Sequence, residues 1–239
     1  MAKSSPLYQQ IYEGIKASIE AGEYAAGQRI PSEQELCAEF SASRITIRRA
    51  IEDLCNNGFL VKKQGVGTFV SKTHFSRQLR RTGHGLISFT DMCLAQGLKP
   101  AGRVIGRQIV PIREDERRFF DLGKDALLLY VQRIRTADGV PIYEENTFLP
   151  YDEFKSMMTS DLENVSIFDA IEASSGRRPV SNNRLTLEAV AASAERASLL
   201  QVPAKAPLLY MNAHFLDKDG QPIAIARQYY VGSRYAFDI

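Results

Sequence analysis

The sequence predicts an α+β protein, in which an N-terminal winged helix-turn-helix domain is joined to a C-terminal domain built on an antiparallel sheet. One observation is the order of patterns in residues 31–70, which indicates a helix, a break, a basic helix and a glycine-tipped hairpin. The other is a helix–strand–turn–strand pattern that occurs twice in the second half of the chain. The predicted parts are a first domain at residues 1–71, a linker at 72–85 and a second domain at 86–239.

Composition limits the possibilities. With 239 residues, 44% hydrophobic and 24% charged, the chain suits a globular protein of one large or two ordinary domains. Its formal net charge is only +2, so affinity for nucleic acid must come from local clusters of basic residues. No apolar run is long enough to span a bilayer and no signal-peptide pattern opens the chain, which predicts a cytoplasmic protein. Three scattered cysteines and three histidines predict neither a metal site nor another cofactor.

The first elements are three helices. Ser32 and Glu35 have the spacing of a capping box, so we expect the second helix to start after Ser32. Ser43 can cap the third, which runs on from Arg44 and carries basic residues near its N-terminal end. The other side of this third helix is apolar, so it can pack on one face and enter a DNA major groove with the other. The apolar stripes are Leu7, Ile11, Ile15 and Ile19 in the first helix, and Ile47, Ala50, Ile51 and Leu54 in the third.

A two-stranded wing is predicted next. Residues 59–63 and 68–70 are strand-like and flank Gln64-Gly65-Val66-Gly67. A glycine at the tip lets the backbone approach a narrow groove without a side chain in the way. A charged helix face alone is often just a solvated surface. The combination of two short helices, a basic helix start and a basic hairpin favours DNA binding.

Four segments of this region resemble the GntR family of bacterial transcription regulators. They are residues 6–11, 27–33, 43–50 and 64–70, with the sequences PLYQQI, GQRIPSE, SRITIRRA and QGVGTFV. The resemblance implies that Arg44, Thr46 and Arg48 face DNA and that Gly65 brings the wing into the minor groove. Gln34 stands where some relatives carry an arginine that touches DNA. The full set expected to contact DNA is Arg29, Ser43, Arg44, Thr46, Arg48, Arg49, Lys62 and Gly65.

The stretch from Ser71 to Gly85 has no sustained apolar period and indicates a linker. It is rich in basic side chains, which either lie near DNA phosphates or form a solvated run of charge. These side chains include His74, Arg77, Arg80, Arg81 and His84.

The second domain contains an internal repeat. In each copy an acidic helix start precedes an apolar strand, a turn with Asp-Gly, and a return strand that opens with Pro-Ile. The turns are Asp138-Gly139 and Asp219-Gly220, and the Pro-Ile pairs begin at Pro141 and Pro222. We expect two such units to pair into one antiparallel sheet with helices on one face.

The two copies differ in polarity. Arg133 and Arg135 occupy alternate positions of one strand and therefore share a face, whereas their equivalents in the second copy are Ala213 and Phe215. The return strand has Glu144-Glu145 in the first copy and Ile225-Ala226 in the second. Two arginines on one face can hold an anion, and a nearby carboxylate can hold a hydroxyl or an amine. The alternative is a solvent-exposed ladder of cross-strand ion pairs.

Residues from about 86 to 235 resemble the ligand-sensing (UTRA) domain of the HutC branch of that family, whose fold is similar to chorismate lyase. The resemblance rests on Ser88-Phe89-Thr90-Asp91-Met92 and Val165-Ser166-Ile167-Phe168 as helix starts. It implies an acidic effector held at helix N-termini and by the arginine strand, although plain helix capping is the alternative for both serines. Ala224 stands where many relatives carry a glutamate. The expected effector-binding residues are Ser88, Phe89, Thr90, Arg133, Arg135, Glu145, Ser166, Arg227 and Tyr229.

The function that follows is sequence-specific transcription regulation. We expect a homodimer that represses by binding a near-palindromic double-stranded DNA operator and that a small anionic metabolite, such as a sugar phosphate, releases. One competing interpretation is an enzyme whose C-terminal domain acts on an anionic metabolite while the N-terminal domain tethers it to DNA. A weaker third is an architectural DNA binder without a ligand. No nucleophile–base pair or metal constellation supports catalysis, and a shared fold does not imply chorismate lyase activity.

Overall fold

The computed structural model describes residues 6–56, 58–71, 75–78 and 86–238. Contacts within the chain divide it into two compact units. The first unit comprises residues 1–77 together with residues 233–237, and the second comprises residues 78–232 and 238–239. A short C-terminal segment therefore belongs to the first unit, which the sequence pattern did not indicate.

The part of the first unit that the structure describes has three helices and two small antiparallel ribbons. The helices are α1 (Leu7–Glu20), α2 (Glu33–Glu39) and α3 (Arg44–Asn56). The strands are β1 (Leu60–Lys63), β2 (Gly67–Val70), β3 (Phe75–Gln78) and, from the C-terminal end of the chain, β10 (Tyr235–Asp238). β1 pairs with β2 as the predicted wing, and β3 pairs with β10.

The apolar face predicted for α3 forms the core of this unit. Ile47, Ala50 and Leu54 are each 0% exposed and pack with residues of α1 and α2 such as Ile15 and Leu36. The capping box is confirmed at the start of α2: Ser32 Oγ accepts from the Glu35 amide at 3.3 Å and Glu35 Oε2 accepts from the Ser32 amide at 2.7 Å. Packing on one side leaves the opposite side of α3 for solvent or a partner.

The second unit is a six-stranded antiparallel sheet with helices around it. Along the chain the elements are α4 (Phe89–Ala95), β4 (Pro100–Pro111), α5 (Glu114–Phe120), β5 (Leu127–Ala137), β6 (Val140–Pro150), α6 (Tyr151–Phe154), a 3-10 helix (Lys155–Met158), α7 (Ile167–Ser175), β7 (Ser181–Ala191), α8 (Ala194–Leu200), β8 (Pro207–Leu216) and β9 (Pro222–Val231). The strand order is β4-β5-β6-β9-β8-β7.

The predicted repeat is present, as α5-β5-β6 and α8-β8-β9. Both helices end at a residue with left-handed backbone, Asp121 (φ 54°) and Gln201 (φ 52°). The return strands β6 and β9 lie side by side at the centre of the sheet. Each helix contacts the return strand of the other copy: α5 contacts β9, and α8 contacts β6. The two copies thus hold each other together.

The expectation of helices on one face only is wrong. β6 is buried at every position from Pro141 to Thr147, so both faces of the sheet centre are covered. On one face lie α5 and α8, which pair with Arg227 and Glu144. On the other lie α4 and α7, whose rings contact Tyr143 and Phe215. A central strand that is buried on both sides loses the alternation from which a single covered face would be inferred.

Candidate functional site

The exposed side of α3 carries the basic cluster predicted to face DNA. The guanidinium Nε atoms of Arg44 and Arg48 lie 3.5 and 3.7 Å from the Glu33 carboxylate, and Lys62 Nζ lies 3.9 Å from it. These contacts are long, and the two arginine side chains remain 77% and 62% exposed. Exposed pairs of this kind contribute little to stability, so the three cations are available to another partner. Glu33 gathers them on one surface.

Other side chains that are predicted to contact DNA also make contacts within the first unit. Ser43 Oγ accepts from the Thr46 amide at 3.3 Å and lies 2.7 Å from Thr46 Oγ1, so this serine caps α3. The Arg49 guanidinium stacks on the Tyr8 ring of α1, 3.9 Å from its centroid. The structure therefore distinguishes Arg44 and Arg48, which point outward, from residues that also support the helix.

The wing has the expected tip. Gly65 has φ +74°, and a Cβ added there would meet no described atom within 4 Å. Arg29 lies beside the second glycine of the wing, because a Cβ on Gly67 would come within 2.7 Å of Arg29 Nε. The connector before α2 runs along the wing, where the Ile30 amide donates to the Thr68 carbonyl at 3.0 Å. Arg29 and the wing thus form one surface.

Sequence reasoning missed Ile45. Its side chain is 82% exposed, although it stands between Arg44 and Thr46 at the start of α3. The signal was present, because Ile45 falls outside the buried face that contains Ile47 and Ile51. Gln34 is exposed in the first turn of α2. The basic part of the predicted linker lies outside the described residues, apart from the backbone of β3.

In the second unit, Arg133 and Arg135 lie on one face of β5 and are 0% and 1% exposed. Arg133 donates from Nε to Glu145 Oε2 at 2.7 Å, and its Nη2 also contacts that oxygen. Its Nη1 donates to the carbonyls of Leu162 and Val165 at 3.0 and 2.9 Å. The pair is cross-strand, as the ladder alternative required, but it is buried rather than exposed to solvent. Arg133 is therefore fully paired.

Arg135 is bound differently. Its Nη1 donates to the Val165 carbonyl at 2.6 Å and its Nη2 to Thr90 Oγ1 at 3.0 Å, while the guanidinium lies 5.3 Å from the Phe89 ring centroid. Its Nε is buried without a hydrogen-bond partner, and no carboxylate among the described residues forms an ion pair with it. Burial raises the pKa of the nearby Cys93 thiol to about 12, so that thiol is neutral at pH 7. Arg135 is therefore a buried cation that forms no ion pair with any residue the structure describes.

The two predicted helix starts behave differently. Ser88 accepts from the Asp91 amide at 3.2 Å and donates to Asp91 Oδ2 at 2.7 Å, so it is occupied as a cap of α4. Ser166 begins α7 but makes no cap bond, and its hydroxyl is buried without a partner among the described residues. Capping explains Ser88 and does not explain Ser166. A buried hydroxyl without a partner is a group that a ligand can satisfy.

Glu145 has one oxygen with spare capacity. Its Oε2 is taken by Arg133. Among the described residues, Oε1 receives two long contacts, 3.5 Å from Tyr143 Oη and 3.4 Å from Gln228 Nε2. Gln228 lies directly opposite Glu145 and accepts from Tyr230 Oη at 2.5 Å. Sequence reasoning missed Gln228 and Tyr230, which share this face with the arginines.

Arg227 and Tyr229 do not join this site, contrary to the expectation. Because Gln228 is the residue opposite Glu145, strand alternation turns its two neighbours to the opposite face of the sheet. There Arg227 Nη1 pairs with Glu116 at 2.7 Å, and the Arg196 guanidinium lies 3.6 Å from the Tyr229 ring centroid. Both line a separate cleft of about 540 Å³.

Two further structural findings bear on the class of protein. Within the described ranges, no group of three or more His, Cys, Asp or Glu side chains is placed to hold a metal ion. None of the helices in those ranges has the length and apolar character needed to cross a membrane. What remains is a basic helix-and-wing surface in one unit and, in the other, a buried polar cluster in which Arg135 has no ion-pair partner among the described residues. That pairing is typical of DNA-binding transcription regulators that sense a small molecule.

Comparison with known proteins identifies the family. Residues 7–70 match the model of "Bacterial regulatory proteins, gntR family", and residues 95–236 match the UTRA domain. The chain is 32% identical to the HTH-type transcriptional repressor NagR of Bacillus subtilis (strain 168), over 97% of this chain and 93% of that protein. It is 26% identical to the histidine utilization repressor of Pseudomonas putida, over 98% and 91% of the two chains.

The fold agrees with a solved structure. PhnF from Mycobacterium smegmatis superposes with a TM-score of 0.65 at 23% identity, covering 95% of this chain and 96% of that one. The chain belongs to the GntR family, in the HutC branch whose members carry a UTRA domain. It is a DNA-binding transcription regulator with a domain of the type that binds small-molecule effectors. The family and its curated relatives regulate transcription, which sets aside the interpretation as an enzyme.

Proposed function

We propose that the chain is a metabolite-responsive repressor that acts in the cytoplasm as a homodimer. On this proposal residues 1–71 bind a near-palindromic operator, and residues 86–239 bind a small anionic metabolite such as a sugar phosphate. Residues 72–85 link these two domains. The effector weakens operator binding. The observation that carries the proposal is Arg135, a buried guanidinium without a carboxylate partner among the described residues.

The charge of the buried cluster around Arg133 and Arg135 supports an anionic effector. Arg133 and Glu145 neutralise each other, which leaves the charge of Arg135 uncompensated. A buried charge is costly unless it is paired, so an anion that enters beside Arg135 gains more than it would at the surface. Ser166 adds an unpartnered hydroxyl, and the free amides at the start of the nine-residue α7 favour negative charge.

The remaining polar group of the site indicates a second feature of the effector. Glu145 is buried, and the contacts that its Oε1 makes with described residues are 3.4 Å or longer. A carboxylate oxygen in this state accepts from a hydroxyl or an amine. We therefore propose an effector that has an acidic group near Arg135 and a hydrogen-bond donor near Glu145. Sugar phosphates have both. The bacterial relatives named as repressors of histidine and of fructoselysine utilization are consistent with a small polar effector.

On the DNA side, we propose that Arg44 and Arg48 read base edges and that Lys62 binds phosphate. The arginines extend from the start of α3, which is the part of a recognition helix that meets base edges. Arg29 and Gly65 would place the wing against the backbone and the minor groove. A near-palindromic operator requires two copies of this surface, which is why the proposal includes a homodimer.

The experiment is an operator-binding titration by fluorescence anisotropy, with and without a panel of inorganic phosphate, hexose 6-phosphates and amino-sugar phosphates. We expect one member to weaken operator affinity by about 1–3 kcal/mol, the usual size of such coupling. Arg135→Met should remove this response while leaving operator affinity without effector unchanged. A compound that binds wild-type protein but not Arg135→Met, and yet leaves operator affinity unchanged, would reject the regulatory proposal.

A further inference from the structure

One backbone carbonyl lies between the two buried arginines. The Val165 oxygen accepts from Arg133 Nη1 at 2.9 Å and from Arg135 Nη1 at 2.6 Å. It therefore occupies the point at which the two guanidinium groups converge. A neutral carbonyl can satisfy the hydrogen bonds there, but it cannot neutralise the charge of Arg135. An anionic oxygen at the same point would do both, and hydrogen bonds between charged groups are roughly twice as strong as neutral ones.

The segment that presents this carbonyl is tied to the edge strand β4. The Asn164 amide donates to the Gly102 carbonyl at 3.0 Å, and Asn164 Oδ1 accepts from the Gly102 amide at 3.1 Å. Glu163 Oε1 accepts from the Val104 amide at 2.8 Å. Asn164 has φ 57°, in the left-handed region. Hydrogen bonds to an edge strand hold residues 163 and 164, while the buried Leu162, whose carbonyl accepts from Arg133, anchors the start of the segment.

The same segment leads directly into α7. Val165 is followed by Ser166, whose buried hydroxyl has no partner among the described residues and which does not cap the helix. A shift of the Val165 carbonyl away from the arginines therefore changes the first turn of α7. This turn would also meet the bound anion, because its free amides directly follow Val165, whose carbonyl accepts from both arginines.

We propose that residues 162–166 form a displaceable plug, in which the Val165 carbonyl holds the anion position until the effector enters and replaces it. This inference rests on the proposed function, because it concerns how the same site is regulated. Effector binding withdraws the carbonyl from both guanidinium groups and breaks the contacts of Glu163 and Asn164 with β4. Release of the plug is the first structural consequence of binding, and it begins the change that reaches the DNA-binding unit.

The plug makes a distinctive prediction about affinity. If the carbonyl competes with the anion, any change that loosens the plug must strengthen anion binding, because apparent affinity falls with the fraction of protein that is not ready to bind. Glu163→Ala removes one exposed side-chain bond to Val104 and leaves every arginine contact in place. We expect the dissociation constant for the phosphate-bearing compounds to fall by about two- to tenfold, since one such bond contributes modestly.

The test is calorimetric titration of the full chain with inorganic phosphate and hexose 6-phosphates, using wild type, Glu163→Ala, Arg135→Met and the control Glu188→Ala. Glu188 is an exposed glutamate on β7, at the opposite edge of the sheet. Tighter binding by Glu163→Ala alone supports the plug. Unchanged or weaker binding by Glu163→Ala, where Arg135→Met abolishes binding, overturns the plug and leaves the proposed function standing. Absence of Arg135-dependent binding to any of these compounds overturns both.

A second measurement does not depend on variants. The Asn164 amide is hydrogen-bonded to Gly102 while the plug is closed, so its hydrogen exchange should be slow without ligand and faster at saturating phosphate or hexose 6-phosphate. Exchange at Asn164 that stays the same or slows while the anion is bound through Arg135 would show that the carbonyl stays in place.

Discussion

Removing one or the other of the two neighbouring buried arginines, Arg133 and Arg135, should change the stability of the protein by different amounts, because their partners differ. In Arg133→Met, Glu145 becomes a buried carboxylate without its cation, and the Leu162 carbonyl loses its donor. Breaking a buried pair in this way costs about 3–5 kcal/mol of unfolding free energy. In Arg135→Met, the hydrogen bonds to Thr90 and Val165 are lost, but an unpaired buried charge disappears as well. These effects offset each other, so we expect a change within about 1 kcal/mol.

Ligand binding should rank the same two variants differently. Arg135 has a free Nε and unused hydrogens on its terminal nitrogens, enough for two bonds to an anion. At about 1.5 kcal/mol for each bond to a charged group, Arg135→Met should weaken anion binding by about a hundredfold. Arg135→Met should therefore be a stable protein that binds the anion weakly, whereas Arg133→Met should be an unstable protein. Methionine matches the unbranched arginine stem, which limits the cavity left behind.

The assay is urea unfolding followed by circular dichroism, in buffer free of phosphate, together with calorimetric titration. Arg103→Met is the control, because Arg103 is exposed on β4 and a surface change should stay within about 0.5 kcal/mol. The reasoning would be refuted if Arg135→Met destabilised the protein as much as Arg133→Met. It would be refuted equally if Arg135→Met left anion binding intact.

Three predictions concern DNA binding. Arg44→Ala and Arg48→Ala should each weaken operator binding by about 1–3 kcal/mol and affect random DNA less; equal losses on both DNAs would show that neither arginine reads bases. Lys62→Ala should weaken both DNAs similarly and reduce the salt dependence of affinity by about one counterion, which a titration against salt measures. Ile45→Ala should weaken operator binding without loss of stability, because an exposed apolar side chain between residues that we propose to face DNA can contact a thymine methyl. The role would be contradicted if wild type and Ile45→Ala had the same affinity for the operator and for each of its single-base variants.

Much of the first unit could be predicted because its signals are local. A capping box depends on two residues three positions apart, Ser32 and Glu35. The buried face of α3 follows from helical periodicity alone, as Ile47 and Leu54 show. The repeat in the second unit was also visible, since α5 and α8 carry the same pattern. The pair Arg133 and Arg135 could be assigned to one face because alternation within a single strand does not depend on the rest of the fold.

The unpredicted features depend on register and on distant contacts. Whether Gln228 or its neighbours face Glu145 is decided by how β9 aligns with β6, and a slip of one residue reverses every side chain. The carbonyl partners of Arg133 come from Leu162 and Val165, in a segment without periodicity. The Ser233 backbone lies so near Gly58 that a Cβ added to Gly58 would be 2.5 Å from the Ser233 carbonyl oxygen. No local pattern shows that approach or the membership of residues 233–237 in the first unit.

The central claim is that the chain has one anion site and one operator site, and that binding at either site weakens binding at the other. Its most direct test is to measure the dissociation constant of the responsive anionic compound twice, for the free protein and for the protein saturated with operator DNA. Linkage requires that operator weaken anion binding by the same factor by which the anion weakens operator binding. We expect a factor of about 5 to 150. Equal anion affinity in the two states would contradict the account.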